Sequence, residues 1–395
     1  MDNAELTALL TPEGLRLLDG LGPLTSSDEV ASTVLRLRAA GHSPQLVSAV
    51  VGQARLRARA TTKFGEFADR MLFTRAGLEQ ATRLAVAARH AARFRDAGVT
   101  SVADLGCGIG GDAMGLAALG LRVHAVDVDE VTAAIAAYNL APFGEAASVA
   151  HGTAEAADLS DVDAVWLDPA RRTAGHTETT RVSAAEYSPS IAWALEALRR
   201  RPGGMKLGPA FDREGIPGDV EAQWVSADGS TVELVLWSGV LAREGVRRAA
   251  LVMRDDRAWE ITSSADTEDA PVRELGAFIH EPDGAVIRAR LIGDVARALE
   301  AGMLAPAMAY LTSDAALTSP FVASFRVREE VPSDTRSLAK LLRARGIGTL
   351  EIKKRGVDVD PAVLRTKLGL RGPDSATLLL TRVGSRRLAV LADRV

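Results

Sequence analysis

Along the first 95 residues apolar positions recur three and four apart, and a start signal precedes each run. Thr11 stands before Pro12, Ser26 and Glu29 form a capping box in "SSDE", and Ser43 stands before Pro44, so three helices are predicted to begin there. Val30, Val34 and Leu37 share one helix face, and Leu46, Val47, Val50 and Val51 share the next. A further helix is predicted after Thr74, with Leu78, Ala81, Ala85, Ala88 and Ala92 on its inner face. From about residue 100 to 240 the pattern changes to short β-rich runs: "SVADL", "RVHAVD", "ASVAHG", "DAVWLD" and "GMKLGP", then "EAQWVS" and "TVELVLW" separated by "ADGS". Five strands alternating with helical segments predict a parallel sheet, and the Asp-Gly turn predicts a terminal antiparallel hairpin. Beyond 240, "ALVMRDDRAWEIT" reads as a hairpin, "EPDGAVIRARLIGDVARALEAG" as one proline-led helix and "SFRVREEVP" as a strand. A helix, a strand, a helix and two strands follow, completing a small α+β module appended to the sheet domain.

Composition narrows the class. A chain of 395 residues is too long for one ordinary core, and 47% hydrophobic with 25% charged residues is the balance of a globular protein. The net charge of −4 excludes a uniformly basic nucleic-acid coat, so any such binding comes from local patches. The single Cys107 excludes an intramolecular disulfide and a Cys-rich zinc site, and His151, His176 and His280 lack metal-ligand spacing; no metal is expected. The N-terminus lacks a basic flank and an apolar core, and no run of about 18 uncharged apolar residues occurs, so the expectation is a cytoplasmic protein without a membrane span.

The chemistry concentrates in "SVADLGCGIGGD". Gly106, Gly108 and Gly110 follow a strand and open a helix, where backbone N–H groups face a ligand and glycine permits close approach. Taken alone such a loop is equally an ordinary tight turn; its context favours a nucleotide-like ligand. Asp104, two residues before the first glycine, would repel a pyrophosphate and attract the cationic methionine end of S-adenosylmethionine. Asp127 ends the next strand, where a carboxylate accepts both ribose hydroxyls of either cofactor class, and Asp129 reads as a helix N-cap.

The stretch "VADLGCGIGGDAMGLAALGLRVHAVDVD" resembles the first two cofactor motifs of class I S-adenosylmethionine-dependent methyltransferases. The resemblance implies that Asp104, Gly106, Gly108 and Gly110 line the methionine end and Asp127 the ribose, with Val128 next to it. In "AHGTAE" it places Thr153 and Ala154 at the adenine, although many members carry an acid at the Thr153 position. The strand "DAVWLDPARR" brings Asp168 and Pro169 to the C-terminal edge of the sheet, beside the first strand. It resembles the "(D/N)-P-P-(Y/F/W)" of N-methyltransferases acting on bases, with Ala170 and Arg171 in the last two places. Asp168 and neighbouring carbonyls would orient an amine lone pair toward the sulfonium. Arg171 or Arg172 either stacks on the base in place of the missing aromatic, holds a phosphate, or is a surface pair with no role. Carbon methylation through a cysteine nucleophile is excluded because Cys107 lies inside the cofactor loop.

Across nearly the whole chain, "LFTRAGLEQAT", "DLGCGIGGDA", "WLDPARR", "EPDGAVIRA" and "SFRVREEVP" resemble a bacterial methyltransferase family with a trimethylguanosine-synthase-like catalytic domain and a THUMP-like C-terminal domain. This implies an α/β fold: a Rossmann-like class I methyltransferase sheet with an N-terminal helical region and a C-terminal α+β (THUMP-like, ferredoxin-like) module. The expected boundaries are 1–95 for the helical region, 96–240 for the methyltransferase domain, 241–320 for a connecting region and 321–395 for the THUMP-like domain. Phe73 and Thr74 would belong to a segment over the cofactor. THUMP domains bind RNA, which implies an RNA substrate, tRNA or rRNA. "EIKKRG" with Arg343, Arg345, Lys353, Lys354 and Arg355 is either a phosphate-binding patch or a solvated face. The expectation is an S-adenosylmethionine-dependent N-methyltransferase with Asp168, Pro169 and Arg171 at the reaction site and Lys206 as a substrate contact. Its rivals are a non-catalytic RNA-binding protein that retains the cofactor, and a methyltransferase for protein or small molecules.

Overall fold

The computed structural model describes residues 1–171 and 187–395, with Arg171 through its backbone alone; Arg172 and His176 lie outside the described residues. The chain divides into two compact units, Met1–Gly215 with Leu236–Arg243, and Ile216–Val235 with Glu244–Val395.

The first unit opens with α1 (Asn3–Leu9), α2 (Pro12–Asp19), α3 (Ser27–Ala39) and α4 (Pro44–Phe64). The N-cap side chains are those the sequence predicts: Thr11, Ser26 and Ser43 each accept from a backbone N–H of the first turn, and Glu29 completes the capping box. Helix α4 buries Leu46, Val47, Val50 and Val51, as their spacing predicts. The single helix expected after Thr74 is instead two, α5 (Arg75–Gln80) and α6 (Leu84–Asp96). The Lys63 ammonium takes the carbonyls of Leu78, Glu79 and Ala81, all at 2.8 Å, and so ends α5. The break resets the phase: α6 buries Val86, Ala87, His90, Ala91 and Phe94, while Ala85 and Ala88 are exposed.

Strands β1 (Ser101–Leu105), β2 (Arg122–Asp127), β3 (Ala147–His151) and β4 (Ala164–Leu167) follow, then the short pair β5 (Ala170–Arg171) and β6 (Tyr187–Ser188), and β7 (Gly203–Leu207). Their order is β7-β4-β1-β2-β3, all parallel. Helices α7 (Gly111–Ala118), α8 (Glu130–Leu140) and α9 (Ile191–Arg200) connect them. All five residues of β1 are buried, as suits a central strand covered on both faces, which explains why "SVADL" does not alternate. Beneath the sheet, Trp166, Trp237, Phe94 and His90 form an aromatic cluster, with His90 4.5 Å from Trp166.

In the second unit β8 (Glu221–Ala227) leads through Asp228 and Gly229 into β9 (Ser230–Ser238), whose last residues belong to the first unit. Both turn residues have positive φ, +52° and +78°, the geometry the Asp-Gly pair predicts for a tight hairpin. Strand β8 pairs in parallel with β10 (Arg248–Arg254), which pairs antiparallel with β11 (Arg257–Ser263). The β8–β10 pairing ties residues 216–235 to the chain after 244 within the second unit. A seven-stranded sheet has the order β13-β14-β12-β15-β18-β17-β16. Its strands are β12 (Phe278–Pro282), β13 (Gly302–Met303), β14 (Leu311–Ser313), β15 (Val322–Val331), β16 (Ile347–Lys354), β17 (Asp374–Val383) and β18 (Arg386–Arg394). Leu378 and Leu391 join one core with Leu342 and Leu364 of helices α12 (Thr335–Ala344) and α13 (Pro361–Leu368); Leu379 and Val390 join another with Phe325 and Tyr310. Alternate residues thus enter cores on opposite faces, and "TLLLT" reads as a continuous apolar run. The helix expected over 281–302 is two, α10 (Gly284–Ala289) and α11 (Ile292–Ala298). Arg290 between them turns left-handed at φ +60°, and its freed carbonyl accepts from the N–H and hydroxyl of Thr267. No helix among the described residues is long and apolar enough to cross a membrane.

Candidate functional site

The strand order converts residues scattered along the sequence into a row. Asp104 lies near the C-terminal end of β1, Asp127 ends β2, Asp168 follows β4 and Lys206 lies near the end of β7. Along the edge they run Lys206, Asp168, Asp104, Asp127, at the point where the chain leaves β3 and returns on the other side of β1. In an open parallel sheet this edge is where ligands bind.

Between Asp104 and Asp127 runs the glycine loop. Gly106, Gly108 and Gly110 have φ of +92°, +57° and +86°, which L side chains rarely adopt. At Gly106 the need is also one of space: a Cβ there would stand 2.9 Å from the Asp168 carbonyl oxygen. The N–H groups of Gly106 and Cys107 are taken by the Val126 carbonyl, and that of Gly108 by Asp127 Oδ2 at 2.9 Å. Asp127 Oδ1 accepts from Asp129 N–H, also at 2.9 Å. Burial raises Asp127 above the usual carboxylate range, against the pull of these two N–H donors. Asp129 is the N-cap of α8, as predicted.

Asp104 stands apart. It is 1% exposed, and neither carboxylate oxygen has a hydrogen-bond partner among the described residues. Burial, then the neighbouring Asp112 and Asp168, push its carboxyl well above the usual range. A buried acid without a partner is costly unless a ligand supplies one, and the missing partner is a donor with positive charge. The ammonium end and sulfonium of S-adenosylmethionine have that character, so the donor set fits this cofactor and disfavours a pyrophosphate. Cys107 is buried beside it, and burial followed by the charges of Asp104 and Asp127 pushes its thiol up, away from the thiolate a nucleophile needs.

Behind Asp168 lies a polar chain that begins at Lys206. The Lys206 ammonium pairs with Asp168 Oδ2, donates to Thr82 Oγ1 at 2.9 Å, and lies 3.7 Å from Asp112 Oδ2. Thr82 donates its hydroxyl to Asp112 Oδ2 at 2.6 Å, and His90 Nδ1 lies 2.8 Å from Asp112 Oδ1. Burial works against the charge of Asp112, but Lys206, His90 and Thr82 outweigh it and bring its carboxyl down to about 2. Asp112 was legible as the acid at the start of α7; nothing local marks Thr82 or His90.

Phe73 is fully buried, 5.7 Å from the Phe64 ring, with its backbone bonded in both directions to the Gln53 amide. Thr74 caps α5 through Gly77 N–H. This segment touches the loop: Asn139 bonds both Leu72 and the Ile109 carbonyl, and a Cβ on Gly77 would lie 2.5 Å from Ile109 Cγ2. Val128 is 60% exposed next to Asp127, and its carbonyl lies 3.1 Å from His151 Nε2. Thr153 is exposed and Ala154 buried at the short turn after β3; Pro169 is buried.

In the second unit the basic residues proposed as a patch are largely engaged. Arg343 donates to the Leu368 carbonyl at 2.7 Å, Arg345 pairs with Glu329 at 2.9 Å, and Lys353 and Arg355 both pair with Glu281, at 3.0 and 3.6 Å. They do not form one free surface. Exposed Arg382 and Arg387 lie directly opposite each other at the tip of the β17–β18 hairpin and make no ion pair among the described residues. His280 is buried neutral between Ser324 and Ser313, and burial lowers its imidazole to about 4.

A family profile described as THUMP domain-like matches residues 322–394, and one described as a domain of unknown function matches residues 2–60. Among relatives, a protein of Mycobacterium tuberculosis, found in two strains and named "uncharacterized S-adenosylmethionine-dependent methyltransferase", is 35% identical over 365 residues, covering 90% of this chain and 97% of its own. Among solved structures, that of a "putative methyltransferase" from Porphyromonas gingivalis W83 covers 94% of this chain and 100% of its own, with a TM-score of 0.71 and 20% identity, a likeness of fold.

Proposed function

We propose that this chain, which belongs to the S-adenosylmethionine-dependent methyltransferases, methylates a nitrogen of structured RNA such as tRNA or rRNA. The observation that carries the site is the buried, unpartnered Asp104 at the end of the central strand. The observation that favours RNA is the THUMP domain-like match over residues 322–394, since THUMP domains bind RNA.

Bound S-adenosylmethionine supplies an electrophilic methyl group. Asp104 would bind its cationic amino-acid end, the loop at Gly106, Gly108 and Gly110 would let it lie against the backbone, and Asp127 with Val128 would hold the nucleoside, with Thr153 and Ala154 toward the base. Phe73 and Thr74 act at one remove, by packing their segment on the loop. Asp168 accepts an N–H of the substrate amine and turns its lone pair toward the methyl group, a positioning effect rather than strong acid or base chemistry. Transfer would exchange the methyl–sulfur bond for a nitrogen–carbon bond and release S-adenosylhomocysteine, and the Asp168 carboxylate would take up the proton that the methylated amine gives up. Pro169 would stiffen the turn that carries Asp168, and Arg171, two residues further along the chain, is proposed to meet the substrate.

Methyl-labelled S-adenosylmethionine incubated separately with total RNA, a protein extract and a metabolite extract tests the reading. Label enters the RNA fraction. Label in protein or metabolites alone, or none in RNA while the cofactor binds tightly, overturns it.

A further inference from the structure

We infer that Lys206 is a positioning residue, locked from behind by Thr82 and Asp112 so that its ammonium fixes the Asp168 carboxylate, ionised and in one orientation, toward an amine substrate. The inference rests on the reading of Asp168 as the acceptor of the amine N–H.

Three observations carry it. The Lys206 side chain is 12% exposed and that of Asp168 32%, so the carboxylate stands on the open side of the pair and the ammonium behind it. The backing is directional. Thr82 gives its only hydroxyl hydrogen to Asp112 and therefore receives the Lys206 ammonium on its oxygen, while His90 occupies the other oxygen of Asp112. This is an anchored lysine rather than a side chain able to swing out to a substrate.

The third observation is the charge around Asp168. Asp104 from β1 and Cys107 from the glycine loop lie within electrostatic reach of it, Asp112 from α7 lies behind it against Lys206, and Lys63 from α4 is brought down to about 8 by burial and then by Lys206. Among these acids Lys206 sets a positive charge directly on the Asp168 carboxylate. A protonated Asp168 would become a donor on that oxygen and could no longer accept there from an amine. An ammonium held on Asp168 Oδ2 favours the ionised carboxylate, the form that orients the lone pair.

The test uses the full chain labelled with carbon-13 at the aspartate carboxyl carbons, bound to S-adenosylhomocysteine, with the Asp168 signal identified by its loss in Asp168→Asn. In Lys206→Met the Asp168 titration moves to higher pH by about one unit or more, as expected when an adjacent opposite charge is lost. Lys206→Arg leaves it near the wild-type position, and Thr82→Val moves it in the same direction by less. A Lys206→Met titration that coincides with the wild type overturns the inference. If Lys206→Met fails to fold, seen as lost S-adenosylhomocysteine binding, Thr82→Val decides, and an unmoved titration there overturns it equally. The measurement needs no methyl acceptor, so it stands or falls separately from the assignment of RNA as substrate.

Discussion

Asp104 in the first unit is buried with neither oxygen bonded, whereas in the second unit Glu281 holds Lys353 and Arg355, and Glu351 holds Arg394 and the Thr377 hydroxyl. Both regions are dense in acids, yet burial pushes Asp104 well up while Arg394 and Thr377 overcome partial burial to bring Glu351 down. A satisfied charge explains itself as architecture. An unsatisfied one in a folded chain calls for a partner from outside, and its place at the carboxyl edge of a parallel sheet says where that partner sits. By the same logic, if RNA is the substrate, the exposed Arg382 and Arg387 would meet its phosphates more readily than the engaged Lys353 and Arg355. Like charges directly opposite on neighbouring strands oppose pairing, so this arrangement is not maintained by local stability.

The largest effect expected from this contrast is on cofactor binding. Asp104→Ala removes one side of a buried charge pair, a loss of about 3–5 kcal/mol or more than a hundredfold in affinity, and Asp127→Ala weakens binding strongly as well. Calorimetric titration with S-adenosylmethionine checks both; wild-type affinity in the two variants would remove the first half of the comparison.

A smaller effect appears without cofactor. Because the Asp104 carboxyl is raised in the folded state, the folded chain binds more protons than the unfolded one, and the strain of that group grows as pH rises above the unfolded value of about 4. Asp104→Asn therefore raises the apo Tm by a few degrees at pH 8 and leaves it unchanged near pH 4. Scanning calorimetry at the two pH values reads this directly, and an equal gain at both would mean that the carboxylate is not the source of the strain.

The smallest expected effect is in the second unit. If RNA is bound, replacing Arg382 and Arg387 together by Ala lowers the slope of log K against log salt by roughly 0.7–0.9 for each lost phosphate contact. Replacing Lys353 and Arg355 instead changes the slope by less, since both already answer to Glu281. Equal slopes for the two pairs would dissolve the distinction between engaged and free cations.

Much of this was readable in the chain. The N-caps at Thr11, Ser26, Ser43 and Asp129, the Asp228–Gly229 turn, the strands of the sheet and the acids that end them were all set by interactions a few residues long. The breaks at Ala81–Arg83 and Arg290 were not, because the groups that receive the freed carbonyls, Lys63 and Thr267, are remote in sequence. The breaks also have consequences for the site: interrupting the helix between α5 and α6 brings the Thr82 hydroxyl onto Asp112.

The sequence by itself determined which chemistry was available: an acid before a glycine loop, an acid at the end of each of the next relevant strands, and a lysine on β7. Only the tertiary structure decided which of those charges are paired. Thr82 and Lys206 are 124 residues apart, and the order β7-β4-β1-β2-β3 brings Lys206 beside Asp168 while leaving Asp104 unpartnered. Pairing depends on distances across a sheet and on burial, and neither is a property of neighbouring residues along the chain.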